Sequence, residues 1–130
     1  MKELNNIKSV YLEEYDVHVN PYLSYAEIQS IVDGTKKLDT WAEREQNIDM
    51  MILWFTTDIE KGNFEKYTHD DFLKSGLLHE VKSKVYNKGL IYTALNYTES
   101  AQRALAQILK ELPKNMAPLE KVMAKYGDKK

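Results

Sequence analysis

The chain has 130 residues, 18 Lys and Arg against 20 Asp and Glu, a formal charge of −2 and 43% hydrophobic residues. That length suits one domain whose core needs neither metal nor disulfide to hold it. The near-even balance argues against binding nucleic acid by phosphate neutralisation, and the lack of Cys removes disulfides, thiol nucleophiles and zinc–thiolate sites.

Residues 1–6 carry no apolar run of the signal-peptide type, and the longest apolar run, residues 50–55, is far short of the ~20 residues a membrane span requires. A cytosolic protein without a membrane partner is expected. Arg44 and Arg103 are the only arginines, so bidentate phosphate recognition is poorly supplied and no direct nucleic-acid binding is expected.

Residues 10–19 read as a β element. Val10 and Leu12 alternate with polar neighbours, and Tyr15, Val17 and Val19 repeat the period of two. Glu13 and Glu14 separate the two runs, and neither favours the positive φ of a tight hairpin. A hairpin, one longer strand or an irregular ribbon all fit. Asn20-Pro21 breaks the pattern.

Helices are predicted at 24–33, 40–57, 69–86, 90–112 and 118–126. Ser24-Tyr25-Ala26-Glu27 and Thr40-Trp41-Ala42-Glu43 are both capping-box sequences, in which a hydroxyl and a glutamate satisfy free backbone N–H groups reciprocally. Gly34 is read as the stop of the first helix and residues 35–39 as a short linker. In the second, Ile48, Met51, Ile52 and Phe55 form a stripe while Met50, Leu53 and Trp54 cover the rest of the circumference. A helix apolar all round belongs at the centre of a bundle or against a partner.

Residues 58–67 read as a polar connection, and Thr68 to Asp71 as an acidic helix start. Phe72, Leu73, Leu77, Leu78, Val81 and Val85 give the third helix its apolar face, interrupted by Gly76; Asn87-Lys88-Gly89 is read as its end. Ala101, Ala104, Leu105, Ile108, Leu109 and Leu112 make an i, i+3, i+4 stripe in the fourth, which Pro113 stops. Pro118 opens the last, with Leu119, Val122, Met123 and Tyr126 on one face. The fold class is therefore mainly α: a single-domain bundle of about five helices with a short N-terminal β element.

Chemistry-bearing motifs are sparse. His79-Glu80 starts a zinc-helix pattern, but Ser83 stands where the second His is needed. His69, Asp70, Asp71 and His79 would converge on a cation only if the helix bends at Gly76; the simpler reading leaves both His on the surface. Residues 58–63 fail the calcium-loop pattern, and the five Gly match no phosphate cradle. Glu43-Arg44-Glu45 reads as a solvated first helical turn. No catalytic residue, cofactor or metal site is assigned, so the chain is read as a non-enzyme.

The aromatics are the stronger lead. Nine Tyr, two Trp and three Phe exceed what a small helical core uses, and Tyr and Trp suit half-wet positions at protein interfaces. Tyr11, Tyr15, Tyr22 and Tyr25 cluster beside the β element, whose exposed edge could pair with another chain. Together with Trp54 they are the candidate partner-binding residues.

The segments Pro21-Tyr22-Leu23-Ser24-Tyr25-Ala26-Glu27-Ile28-Gln29 and Trp41-Ala42-Glu43-Arg44-Glu45-Gln46-Asn47-Ile48-Asp49-Met50, with the Thr57-Asp58 ending, resemble small proteins of tailed phages and prophages of low-GC bacteria. In those proteins a short β segment leads to a Tyr-Leu-Ser-Tyr helix and then to a Trp-x-Glu-Arg helix. The resemblance spans residues 10–58, with a looser echo at 99–113, and carries over no functional residue. It implies a virion structural or assembly protein of the head–tail or tail region. Such a protein would bind other virion proteins or copies of itself, in the host cytoplasm during assembly and then in the particle. A host-directed inhibitor or adaptor is the alternative, and a metal-dependent hydrolase built on His69, Asp70, Asp71 and His79 a distant third.

Overall fold

A computed structural model describes residues 1–111, as two compact units that divide between Asn96 and Tyr97. The fold is mainly α, with six helices among the described residues and a two-stranded antiparallel hairpin near the N-terminus. The helix expected at 118–126 lies outside the described residues.

Strands β1 (Val10–Leu12) and β2 (Val17–Val19) pair with Val10 opposite Val19, Tyr11 opposite His18 and Leu12 opposite Val17. The turn between them is longer than the two glutamates suggest. Residues Glu13–Tyr15 form a 3-10 turn, and Asp16 takes φ 52°, the left-handed conformation that Asp tolerates better than most residues. Leu12, Val17 and Val19 face the core, so the period of two sorts the faces as the sequence implies. The far edge of β2 is tied down: Val19 bridges to Thr57, Asn20 N–H donates to Thr56 O at 2.6 Å, and Asp58 N–H donates to His18 O at 3.2 Å.

Helix α1 (Tyr25–Thr35) starts on a complete capping box: Ser24 Oγ accepts from Glu27 N–H at 3.1 Å and Glu27 Oε1 accepts from Ser24 N–H at 2.8 Å. Helix α2 (Trp41–Thr56) starts on half of one. Thr40 Oγ1 accepts from Glu43 N–H, but Glu43 takes the Thr40 hydroxyl proton instead of the backbone N–H.

Gly34 does not stop α1. The helix continues through Thr35, whose buried hydroxyl donates to Ile31 O at 2.6 Å and accepts from Asn47 Nδ2 at 3.0 Å, fastening α1 to α2. Gly34 has no positive φ, and a methyl there would meet Asn47 Nδ2 at 3.5 Å, an ordinary contact. Gly34→Ala should therefore stabilise the fold by about 0.5–1 kcal/mol, by restricting the unfolded chain, read as a higher urea midpoint.

Helix α2 is central, packing against α1, α4 and α5. Its buried face is Ile48, Asp49, Ile52, Leu53 and Thr56, while Met50, Met51 and Phe55 are half-buried and Trp54 is exposed. The predicted stripe is thus rotated toward Leu53.

The connection after α2 contains a one-turn helix, α3 (Asn63–Lys66). The predicted 69–86 helix is two: α4 (His69–Lys74) and α5 (Leu77–Lys84). Gly76 separates them at φ +83°, and a Cβ there would lie 3.0 Å from the Tyr15 hydroxyl. Phe72 and Leu77 turn inward while Leu73 is exposed, a consequence of the break.

Gly89 does not end a helix either. Val85 caps α5, and Gly89 is the first residue of α6 (Gly89–Glu111). Asn87, between them, clamps the segment before α1: Oδ1 accepts from Leu23 N–H and Nδ2 donates to Leu23 O, both at 2.9 Å. Tyr86 N–H donates to Pro21 O beside it. In the first unit α6 buries Ile91 and Leu95; from Tyr97 onward its residues Ala101, Ala104, Leu105, Ile108 and Leu109 are exposed. Leu112 lies outside the described residues.

Candidate functional site

An open groove of about 1010 Å³ lies at the tip of the hairpin. The hairpin supplies Tyr15, Asp16, Val17 and His18; the segment after α2 supplies Asp58, Ile59, Glu60, Asn63, Lys66 and Tyr67; α4 and α5 supply Asp71, Phe72, Ser75 and Leu77. Apolar and aromatic groups alternate with a carboxylate rim. Phe64, beneath it, stacks against both Phe72 and Trp54, with centroids 5.7 and 5.2 Å away.

His18 and Asp58 are the most organised pair in the groove. Asp58 Oδ1 accepts from the His18 backbone N–H and Oδ2 lies 2.8 Å from the imidazole Nδ1. Tyr11 covers the imidazole, ring centroids 4.6 Å apart, and donates its hydroxyl to Asp16 Oδ1 at 2.7 Å. The His18 N–H, ahead of the other contributions, holds the Asp58 carboxyl below its ordinary range, although partial burial opposes it. A carboxyl depressed in the folded state stabilises it above the unfolded pKa of roughly 3.9, and that contribution is lost as pH falls through the lower folded value. Asp58→Asn should therefore flatten part of the acid limb of stability below about pH 4, with little slope removed above it. Urea midpoints across that range read this directly.

The aliphatic hydroxyl of the groove is already committed to the fold. Ser75, the one aliphatic hydroxyl lining it, donates to Phe72 O at 2.9 Å and accepts from Leu77 N–H at 3.2 Å. Asp71 is occupied as a cap, its carboxylate accepting from Thr68 N–H at 2.9 Å, which lowers its pKa.

Of the sequence-derived contact residues, Tyr11, Tyr22, Tyr25 and Trp54 are exposed, at 49, 44, 82 and 40%. Trp54 carries the Lys61 ammonium 3.3 Å above its ring. Tyr15 is different. It is half-buried against the core and donates its hydroxyl to Ser75 O at 2.8 Å, so its ring is part of the fold as well as of the groove wall. Only Tyr15 of the five lines the groove; His18, Asp58 and Tyr67 were not anticipated there.

The proposed His69, Asp70, Asp71 and His79 constellation is not assembled. The chain does break at Gly76, but His69 Nε2 lies 2.8 Å from Asp49 Oδ2, and Asp71 caps α4. His69 is thus not the surface residue of the simpler reading: its side chain is only 18% exposed. The buried Asp49 also meets Lys82 Nζ at 2.8 Å through Oδ1, an ion pair off hydrogen-bonding geometry. This trio ties α2 to α4 and α5, beside a smaller cleft of about 350 Å³ that His79 and Lys88 also line. A lone carboxylate inside an apolar-all-round helix was the signal for it.

No group of three or more His, Cys, Asp or Glu residues suited to a metal occurs among the described residues, and no described helix is long and apolar enough to cross a membrane. Comparisons with protein-family models, curated proteins and solved structures find no match.

Proposed function

We propose that the protein is a non-enzymatic structural or assembly component of a tailed phage, in the head–tail or tail region, and that it acts by docking other proteins. The observation that carries this reading is the groove. It combines aromatic surface with a charged rim, the composition of a contact surface, while its serine and most of its carboxylates are already held by internal bonds. The sequence resemblance to phage and prophage proteins supplies the setting: host cytoplasm during assembly, then the particle.

The test is a tagged chain expressed during prophage induction, with particles and assembly intermediates resolved on a density gradient. The tag should band with particles or with head–tail or tail intermediates, and Tyr67→Ala together with Glu60→Lys should release it. A tag found only with one host protein would overturn the assembly reading in favour of a host-directed inhibitor.

A further inference from the structure

We propose that the groove receives the N-terminal arm, residues 1–9, of a second copy of this chain. The inference rests on the docking reading above and names the partner.

Three observations converge. First, all of residues 1–9 are exposed and lie outside every helix and strand. Leu4 and Ile7, three apart, are 80 and 59% exposed, an apolar pair with no place in the core of its own chain.

Second, the charges complement. The groove lining holds four carboxylates, Asp16, Asp58, Glu60 and Asp71, against one ammonium, Lys66. The arm carries Lys2 and Lys8 against Glu3. Lysines on the carboxylate rim, with Leu4 and Ile7 on Ile59 and Tyr67, match each class of surface to its counterpart.

Third, the hairpin register sets the direction. The groove lies at the tip, around Asp16 and Val17, whereas the arm joins at Val10, the opposite end of the ribbon. Strand β1 therefore enters from the end away from the tip, and Leu4 and Ile7 stay exposed instead of seating in the groove of their own chain. Nine extended residues span about 30 Å, ample to reach a neighbour. Each copy would give one arm and receive one, either by reciprocal exchange in a two-fold dimer or head to tail in a ring or filament.

The test uses the full chain. Sedimentation velocity over a range of concentrations should show reversible self-association that Leu4→Asp with Ile7→Asp abolishes and Lys2→Glu with Lys8→Glu weakens about tenfold or more. These positions are exposed, so the folded spectrum should be unchanged. Because the chain has no Cys, Asn5→Cys takes a single spin label. Mixed with an isotope-labelled, unmodified copy, it should broaden the amide signals of Ile59, Tyr67 and Phe72 in that copy. A chain monomeric at all concentrations, broadening confined to the labelled chain itself, or association indifferent to the arm substitutions would each overturn the proposal. If the tag still bands with particles in any of these cases, the broader docking reading stands and only the arm is excluded.

Discussion

Ile52→Ala is expected to destabilise the protein by about 2–5 kcal/mol, toward the upper end of what a buried branched side chain costs when the site cannot collapse. Ile52 is fully buried in the C-terminal half of α2, the helix against which α1, α4 and α5 all pack. Leu53, Val81 and Ile91, of the same core cluster, are equally inaccessible, so little solvent-facing surface is at hand to relax into the cavity. Phe55→Ala should cost less despite the larger side chain, because that ring is only half-buried. Paired urea titrations measure both. A larger loss at Phe55 would mean that its ring, and not the Ile52 position, anchors the helix.

Asn87→Ala should cost about 2–4 kcal/mol without removing any apolar surface. Two hydrogen bonds to Leu23 disappear, and the N–H and C=O of a residue that is 1% exposed lose their partners. Leaving such groups unpaired costs about 1–3 kcal/mol each, more than the net value of the bonds themselves. Asn87→Asp separates the two halves of the clamp. It keeps an acceptor for the Leu23 N–H but sets a carboxylate against the Leu23 carbonyl, so it should not rescue stability. Rescue by Asp would show that the N–H bond alone holds the segment.

Local signals are legible in this sequence and distant ones are not. The Ser24 box, the break at Pro21 and the core positions Ile28, Ile31, Leu78 and Val81 follow from spacing that a linear sequence displays. Glycine was over-read as punctuation. Gly34 sits inside α1 because Thr35 gains a buried bond by staying helical, and Gly89 starts a helix because Asn87 and Val85 have already ended the previous one. The groove was invisible for another reason. His18 and Asp58 are 40 residues apart, so no local pattern pairs them; the same holds outside the groove for Asn87 and Leu23, 64 apart. Asp49 was the exception, a carboxylate among Ile48, Met50, Met51 and Ile52 whose position alone required buried partners.

The corner at Gly76 also constrains how this sequence can vary. A side chain there would adopt an unfavourable left-handed backbone and push its first carbon against the Tyr15 hydroxyl, 3.0 Å away. Tyr15 is itself a wall of the groove, so the disturbance would not stay in the backbone. In a saturation library scored separately for folding and for binding, position 76 should be depleted of most alternatives in both scores, least of Asn and Asp. Leu73, exposed three residues earlier, should tolerate most of them in the folding score.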